Sequence, residues 1–282
     1  DMAGDVWRYG DPEHFDLKAA LAAKHGVSPH HFVIGEGIDG ILGNLVRLFV
    51  GPGVAVVTSN GAYPTFNYHV NGFGGDLVKV PFDGDSEDPA ALIQMAQSVK
   101  ARLVYLSNPN NPMGSFHPRA RIEEMVAALP DGCLLCLDEA YADFVDEDEL
   151  PDIPVDHDRV IRLRTFSKAY GLAGIRIGYA ITNAPLANAF NKIRNHFGVN
   201  SIAQTAAVAA LADTDHQASV RKAVAAALER VAGIAQANAV SSEDLTRQLF
   251  AMADRRRRGI KKRDDSGALL SRLLIGKFYK TI

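Results

Sequence analysis

Cysteine is nearly absent from this sequence: Cys133 and Cys136 are the only two in 282 residues. A disulfide-stapled scaffold is thereby excluded, since such domains carry many cysteines at fixed spacings. The Cys-x-x-Cys spacing admits a redox pair or half a zinc site. The pair lies, however, in Cys133-Leu-Leu-Cys136-Leu-Asp138, an apolar run that reads as a buried strand. Residues three apart on a strand face opposite sides. No second Cys-x-x-Cys or histidine cluster completes a metal site, so no metal is expected. Long apolar runs are also lacking. None approaches the roughly 20 residues of a membrane helix, so no membrane partner is expected. Net charge is only −3 at pH 7, without the overall basic excess of a nucleic-acid binder. No signal peptide opens the sequence, which makes a cytoplasmic protein the default expectation.

Net charge is small, but the charge is unevenly spread. From Val240 to Ile282 there are eleven Lys or Arg against five Asp or Glu, concentrated in Arg255–Arg258 and Lys261–Arg263. Such a run reads as a nucleic-acid or sorting patch, or as a solvated basic tail. The second reading is preferred, and 239–282 is taken as a divergent tail.

What the chain does have is 47% hydrophobic residues, enough for one sizeable core, arranged in alternating periods. Strand-like runs lie at Val54–Thr58, Leu77–Pro81, Leu103–Ser107, Leu134–Asp138, Val160–Thr165 and Gly178–Ile181. Helical patterns lie at Phe15–His25, Ile38–Phe49, Arg119–Ala128, Ile202–Ala212 and Val220–Ala237. This alternation predicts a three-layer α/β fold with a mainly parallel sheet. Ligands in such sheets sit beyond the carboxyl ends of the strands.

The segment Arg164-Thr-Phe-Ser-Lys168-Ala-Tyr-Gly-Leu-Ala-Gly-Ile-Arg176-Ile-Gly-Tyr179 follows such a strand. A lysine ending a buried strand among Phe166, Tyr170 and glycines is costly if charged. A neutral amine is a nucleophile for carbonyl chemistry. Thr165, Ser167 and Arg176 bring hydroxyls and a guanidinium, the groups that hold a phosphate. Gly37, Gly171, Gly174 and Gly178 let backbone approach a ligand. The alternative is a surface lysine in a basic, glycine-rich loop.

These residues resemble the lysine motif of the class I/II aminotransferases of fold type I, most closely the histidinol-phosphate aminotransferase branch. Further pieces occur in the family's order. Asn108-Pro-Asn-Asn111-Pro-Met-Gly114 resembles its Asn-Pro-Asn-Asn-Pro-Thr-Gly loop, with Met113 where threonine is more usual. Asp138-Glu-Ala-Tyr141, Arg8-Tyr9-Gly-Asp-Pro12, Gly35-Glu-Gly37-Ile-Asp39-Gly and Tyr63-Pro-Thr-Phe66 resemble four other family segments. The resemblance covers roughly Arg8 to Ala212.

The resemblance implies pyridoxal 5'-phosphate as cofactor, held by Lys168 as a Schiff base, with Lys168 then acting as general base. It implies Asp138 against the pyridinium nitrogen, Tyr141 and Asn111 on the ring hydroxylate, and Phe66 stacked on the ring. Gly37, Ile38 and Asp39 open a helix whose N-terminus favours a phosphate, Asp39 through its backbone or as a cap. Thr165, Ser167 and Arg176 complete that phosphate site. Tyr9 reaches the phosphate of a partner subunit, which implies a homodimer with shared sites. The implied reaction is transamination between histidinol phosphate or an aromatic amino acid and a 2-oxo acid, as part of histidine or amino-acid biosynthesis. The alternatives are a decarboxylase of the threonine-phosphate type and a truncated, inactive product.

On this resemblance the domains are a remnant of an N-terminal arm at 1–30, a cofactor-binding large domain at 31–238, and the tail at 239–282 without family match. The family's arm and small domain, with its carboxylate-gripping arginine, find no counterpart. Residues after Val240 look like a GC-rich gene read out of frame, and weak cofactor binding is expected. Arg194 and His196 match no family role and are expected at the surface or a dimer face.

Overall fold

A computed structural model describes residues 2–237. Its described strands form one sheet in the order β1-β7-β6-β5-β4-β2-β3. They are β1 Phe32–Gly35, β2 Ala55–Ser59, β3 Asp76–Val80, β4 Leu103–Ser107, β5 Leu134–Asp138, β6 Val160–Thr165 and β7 Gly178–Ile181. Strand β7 is antiparallel to both neighbours, β6 and β1, and the other pairs are parallel. Strand β1 therefore points the same way as β2 to β6. The carboxyl ends of β1, β2, β4, β5 and β6 and the amino end of β7 share one edge.

The helices are α1 Phe15–His25, α2 Gly37–Phe49, α3 Thr65–Gly72, α4 Pro89–Val99, α5 Arg119–Ala127, α6 Ala184–Asn191, α7 Ser201–Ala212 and α8 Thr214–Ala237. Strand alternation sorts the core into layers. Val56, Leu103, Tyr105, Leu134, Cys136, Ile161 and Leu163 face α2, α3 and α6. Val57, Val104, Leu106, Leu135 and Leu137 face α4 and α5. At the other end of that second face, Phe32, Ile34, Tyr179 and Ile181 pack with Leu17 and Leu21 of α1 and Ala203 and Ala207 of α7. The result is the three-layer α/β arrangement expected from the sequence. Cys133 and Cys136 do lie in different layers, each buried and free.

Residues through Thr214 form one compact unit that includes α1, so residues 2–30 belong with the sheet. The rest of the described chain, from Asp215 to Ala237, continues helix α8. The basic segment expected over 239–282 lies outside the described residues. No described helix is long and apolar enough to cross a membrane. No group of three or more His, Cys, Asp or Glu among the described residues could hold a metal ion.

Candidate active site

At the shared edge β5 ends in Asp138, on the face of Leu134 and Cys136. Its side chain is 4% exposed. Oδ2 accepts from the Tyr105 hydroxyl at 2.7 Å and Oδ1 from the Ala140 N–H at 3.0 Å. Burial pushes the carboxyl above the usual range, and the Glu139 charge adds to this. The two hydrogen bonds and the Lys168 charge act the other way. Tyr105 is fully buried on β4, opposite Cys136 in the register, and reaches diagonally across to Asp138. Burial and the Asp138 charge hold its phenol well above the normal tyrosine range, so it stays a donor.

Phe66, expected on a ligand ring, is fully buried on α3 and stacks on Tyr105, with centroids 4.8 Å apart and an angle of 15°. Its observed partner is thus the residue that holds Asp138.

Lys168 follows β6 in the loop before β7. It is half-buried, less enclosed than the sequence implies, and its Nζ lies 5.3 Å from the Tyr141 ring centroid. Phe166 and Tyr170, expected around it, pack together, ring centroids 4.9 Å apart, in the core with α1 and α7. Asn111 Nδ2 donates to the Tyr141 hydroxyl at 3.4 Å, so the two side chains expected to share one ligand oxygen do meet.

The loop holding Asn111 is tied down at several points. Asn108 exchanges hydrogen bonds with the His117 backbone at 3.0 and 2.8 Å. Asn110 Nδ2 donates to Glu87 Oε1 at 2.7 Å, and the Ser107 N–H donates to the same oxygen at 3.0 Å. Glu87 is 1% exposed, and burial raises its carboxyl's proton affinity. Sequence reasoning missed Glu87 and Tyr105. Glu87 sits in an acidic loop that reads as solvated, while Tyr105 reads as ordinary strand core.

Behind the Asp138 loop lies a second buried charge cluster. Glu139, 1% exposed, takes hydrogen bonds from Arg162 Nε and Nη2 and from Arg164 Nε at 2.8–3.1 Å. The two guanidinium charges outweigh burial and hold Glu139 below the usual range. This ion cluster ties the loop after β5 to strand β6, which leads to Lys168.

The edge also gathers the groups expected to bind a phosphate. Gly37 has φ +77°, and a Cβ there would collide with the Arg176 guanidinium. Arg176 itself adopts φ 58°, uncommon for a residue with a Cβ,, and donates to the Ala173 carbonyl at 2.8 Å. Gly178 lies against the same turn: a Cβ would stand 2.9 Å from the Ile38 nitrogen and 3.0 Å from the Gly37 carbonyl carbon. No side chain caps the start of α2. Its first N–H groups and dipole favour an anion. Asp39 does not cap either; its carboxylate meets His69 Nε2 at 2.9 Å. Thr165 and Ser167 are buried, joined by Ser167 N–H to Thr165 Oγ1 at 3.0 Å.

Tyr9 is 82% exposed, its ring 4.8 Å from that of Phe197. Arg194, expected at the surface, is 8% exposed. It bonds Asn191 at 2.8 Å and meets Glu13 at 3.4 Å, so it serves packing, while His196 is exposed.

The family model for aminotransferase class I and II matches residues 1–264, past the residue-238 boundary drawn from the sequence. A histidinol-phosphate aminotransferase of Moorella thermoacetica is 37% identical over 221 residues, 77% of this chain and 57% of that protein. Histidinol-phosphate aminotransferase 1 of Cupriavidus pinatubonensis is 38% identical over 213 residues, 74% and 56% respectively. This chain thus spans somewhat over half the length of these relatives. Among solved structures, histidinol-phosphate aminotransferase from Sinorhizobium meliloti, in complex with pyridoxal-5'-phosphate, superposes with a TM-score of 0.82 at 52% identity. That match covers 85% of this chain and 66% of that one. L-threonine-O-3-phosphate decarboxylase from Porphyromonas gingivalis, at 21% identity and a TM-score of 0.64, shares the fold. Matched by the family model over most of its length and by close relatives in sequence and structure, this chain belongs to the class I and II aminotransferases.

Proposed function

We propose that this chain carries the cofactor-binding part of a pyridoxal-phosphate-dependent aminotransferase that moves an amino group from histidinol phosphate to a 2-oxo acid. The carrying observation is the buried Asp138 carboxylate, each oxygen already held by a neutral donor, with the Lys168 charge acting on it. The side chains fit the cofactor. Asp138 suits a protonated ring nitrogen, and the meeting point of Asn111 and Tyr141 suits a ring oxygen. The glycine turn beneath Arg176, which a Cβ would obstruct, suits a phosphate.

Bound pyridoxal phosphate supplies an electron sink for the pair left when a substrate Cα loses its proton. The chain supplies the rest. Lys168 Nζ anchors the cofactor and then takes the Cα proton as general base. Asp138 keeps a proton at the ring nitrogen. The α2 N-terminus, Thr165, Ser167 and Arg176 bind the phosphate. Asn111 Nδ2 and the Tyr141 hydroxyl donate to the ring oxygen. Tyr9 reaches the phosphate of a second copy, making a homodimer with shared sites. The presence of a histidinol-phosphate aminotransferase at 52% identity supports the substrate choice.

The test is a titration of the chain with pyridoxal phosphate. A visible absorbance band should appear, become permanent with borohydride, and be absent in Lys168→Ala. Histidinol phosphate should discharge the band and a 2-oxo acid should restore it. A band that survives Lys168→Ala would overturn the anchor assignment. Release of carbon dioxide from a phosphorylated amino acid, without restoration by a 2-oxo acid, would replace transamination by decarboxylation.

A further inference from the structure

Asp138 stands at the end of its strand, and among the described residues no positive group is bonded to it. Its bonded partners are the Tyr105 hydroxyl and a backbone N–H. A buried carboxylate so placed is costly to keep ionised. The groups facing it are Tyr105 from β4, Glu139 next in the chain, Lys168 from the loop after β6, and, on the Tyr105 side, Glu87 and Cys136. Glu139 and Glu87 bring like charge and Cys136 is a buried neutral thiol. Among the described residues, Lys168, Tyr105 and the Ala140 N–H favour the ionised form. Lys168 is half-buried and committed elsewhere in the proposed reaction, and the Ala140 N–H is fixed by the backbone.

Tyr105 is the adjustable member, and it is built in rigidly. It is fully buried, and its ring lies face to face with the equally buried Phe66 from α3. Its hydroxyl donates to Asp138 Oδ2 at 2.7 Å, a well-formed O–H···O bond,.

We propose that Tyr105 is a positioning residue whose hydroxyl fixes one oxygen of Asp138 and keeps that carboxylate the anionic partner of the ligand's ring nitrogen. The inference rests on the pyridoxal-phosphate reading of the site. Phe66 acts at one remove: by stacking on Tyr105 it aims the phenol at Asp138.

Tyr105→Phe tests this cleanly, because it keeps the ring and the stack and deletes only the O–H. Binding of pyridoxal phosphate is measured beside binding of its 1-deaza analogue, in which C–H replaces the ring nitrogen. The variant should bind pyridoxal phosphate roughly ten-fold more weakly or worse, since hydrogen bonds to charged groups are the strong ones. Its affinity for the deaza analogue should be unchanged. The acid limb of the pyridoxal-phosphate binding profile should move to higher pH, because a carboxylate without its donor takes up a proton sooner. In an Asp138→Ala background, Tyr105→Phe should add nothing. Equal weakening toward both ligands, or none, would show that Tyr105 is only core and overturn the role. A wild-type chain that binds both ligands equally, or neither, would instead overturn the ring-nitrogen reading of Asp138, and the proposal with it.

Discussion

At the scale of single residues, the proposed roles separate anchoring from tuning. Lys168 is half-buried and reaches its neighbours through loop geometry, whereas Asp138 is enclosed and held by both oxygens. Substitution should therefore give different phenotypes. Asp138→Ala should still allow the borohydride-fixable band, because Lys168 is intact, while slowing Cα proton removal by several orders of magnitude. Asp138→Glu should retain more activity than Asp138→Ala. Single-turnover kinetics of band discharge measures this, and near-normal discharge in Asp138→Ala would reduce Asp138 to a structural acid. The placement of both residues was readable from the sequence, because Asp138 ends a recognisable strand and Lys168 follows another. Tyr105 was not. Its role depends on the β4–β5 register, in which Tyr105 pairs with Cys136 and so falls one diagonal step from Asp138, and a sequence does not state its register. Glu87 was hidden for a similar reason: its partner Asn110 lies 23 residues away, brought close only by the parallel pairing of the strands.

At the scale of elements, two features carry predictions. The first is the approach of β7 to the α2 turn. A Cβ added at Gly178 would stand 2.9–3.1 Å from the Ile38 nitrogen, the Gly37 carbonyl carbon and the Arg164 oxygen, all backbone. Backbone cannot yield as a side-chain tip can, so Gly178→Ala must displace the turn. We expect a loss of about 1–3 kcal/mol in stability and clearly weaker binding of phosphate-bearing ligands. Urea unfolding and ligand titration check both, and unchanged affinity would remove the turn from the phosphate site. The second feature is α1, which has a buried histidine, His14, before its first turn and a half-buried one, His25, at its end. Burial, aided by Arg194 and Lys18, lowers the His14 pKa to about 4. Burial, aided by Arg164 and Lys24, lowers that of His25 to about 3, and His25 Nε2 lies 3.0 Å from the Tyr179 hydroxyl. Both imidazoles are thus neutral when folded, and in the unfolded chain they protonate near pH 6.5. Between that pH and about 4 the unfolded state binds more protons, so stability is lost as pH falls through this window. Hydrogen exchange in residues 15–25 should accelerate between pH 6.5 and 4.5, beyond the intrinsic pH effect. His14→Asn with His25→Gln should flatten that dependence; an unchanged slope would assign the acid sensitivity elsewhere. The short elements β1, α3, α4 and α6 were not singled out in the sequence. Four residues of β1 give almost no period. The start signals of α4 (Asp88 capping Ala90 and Ala91, then Pro89) and α6 (Asn183 capping Leu186) were present in the sequence.

At the scale of the whole molecule, the unexplained surface is aromatic. Trp7 is 73% exposed, Tyr9 82%, Phe15 74% and Phe197 50%, with Val6 at 61%. Contiguous exposed apolar surface marks an interaction face, and within this set the rings of Tyr9 and Phe197 meet at 4.8 Å. The proposed homodimer accounts for them and gives Tyr9 a ligand to reach in the other copy. Shared sites can be tested more sharply than by molecular mass. Lys168→Ala leaves Tyr9 intact but removes the anchor, and Tyr9→Ala leaves the anchor but removes the reach. In a heterodimer of the two, one site combines the intact Lys168 of one copy with the intact Tyr9 of the other, while the second site lacks both. Mixed in equal amounts and allowed to exchange, the two variants should therefore rebuild native sites in roughly a quarter of all positions by random pairing of two-fold interfaces. The readout is the borohydride-fixable band at a pyridoxal phosphate concentration too low for Tyr9→Ala alone. Light scattering should report a dimer before and after exchange. A mixture with no more band than its two components, from chains shown by mass labelling to have exchanged, would place Tyr9 within its own subunit's site or outside any site and leave the exposed rings to another partner.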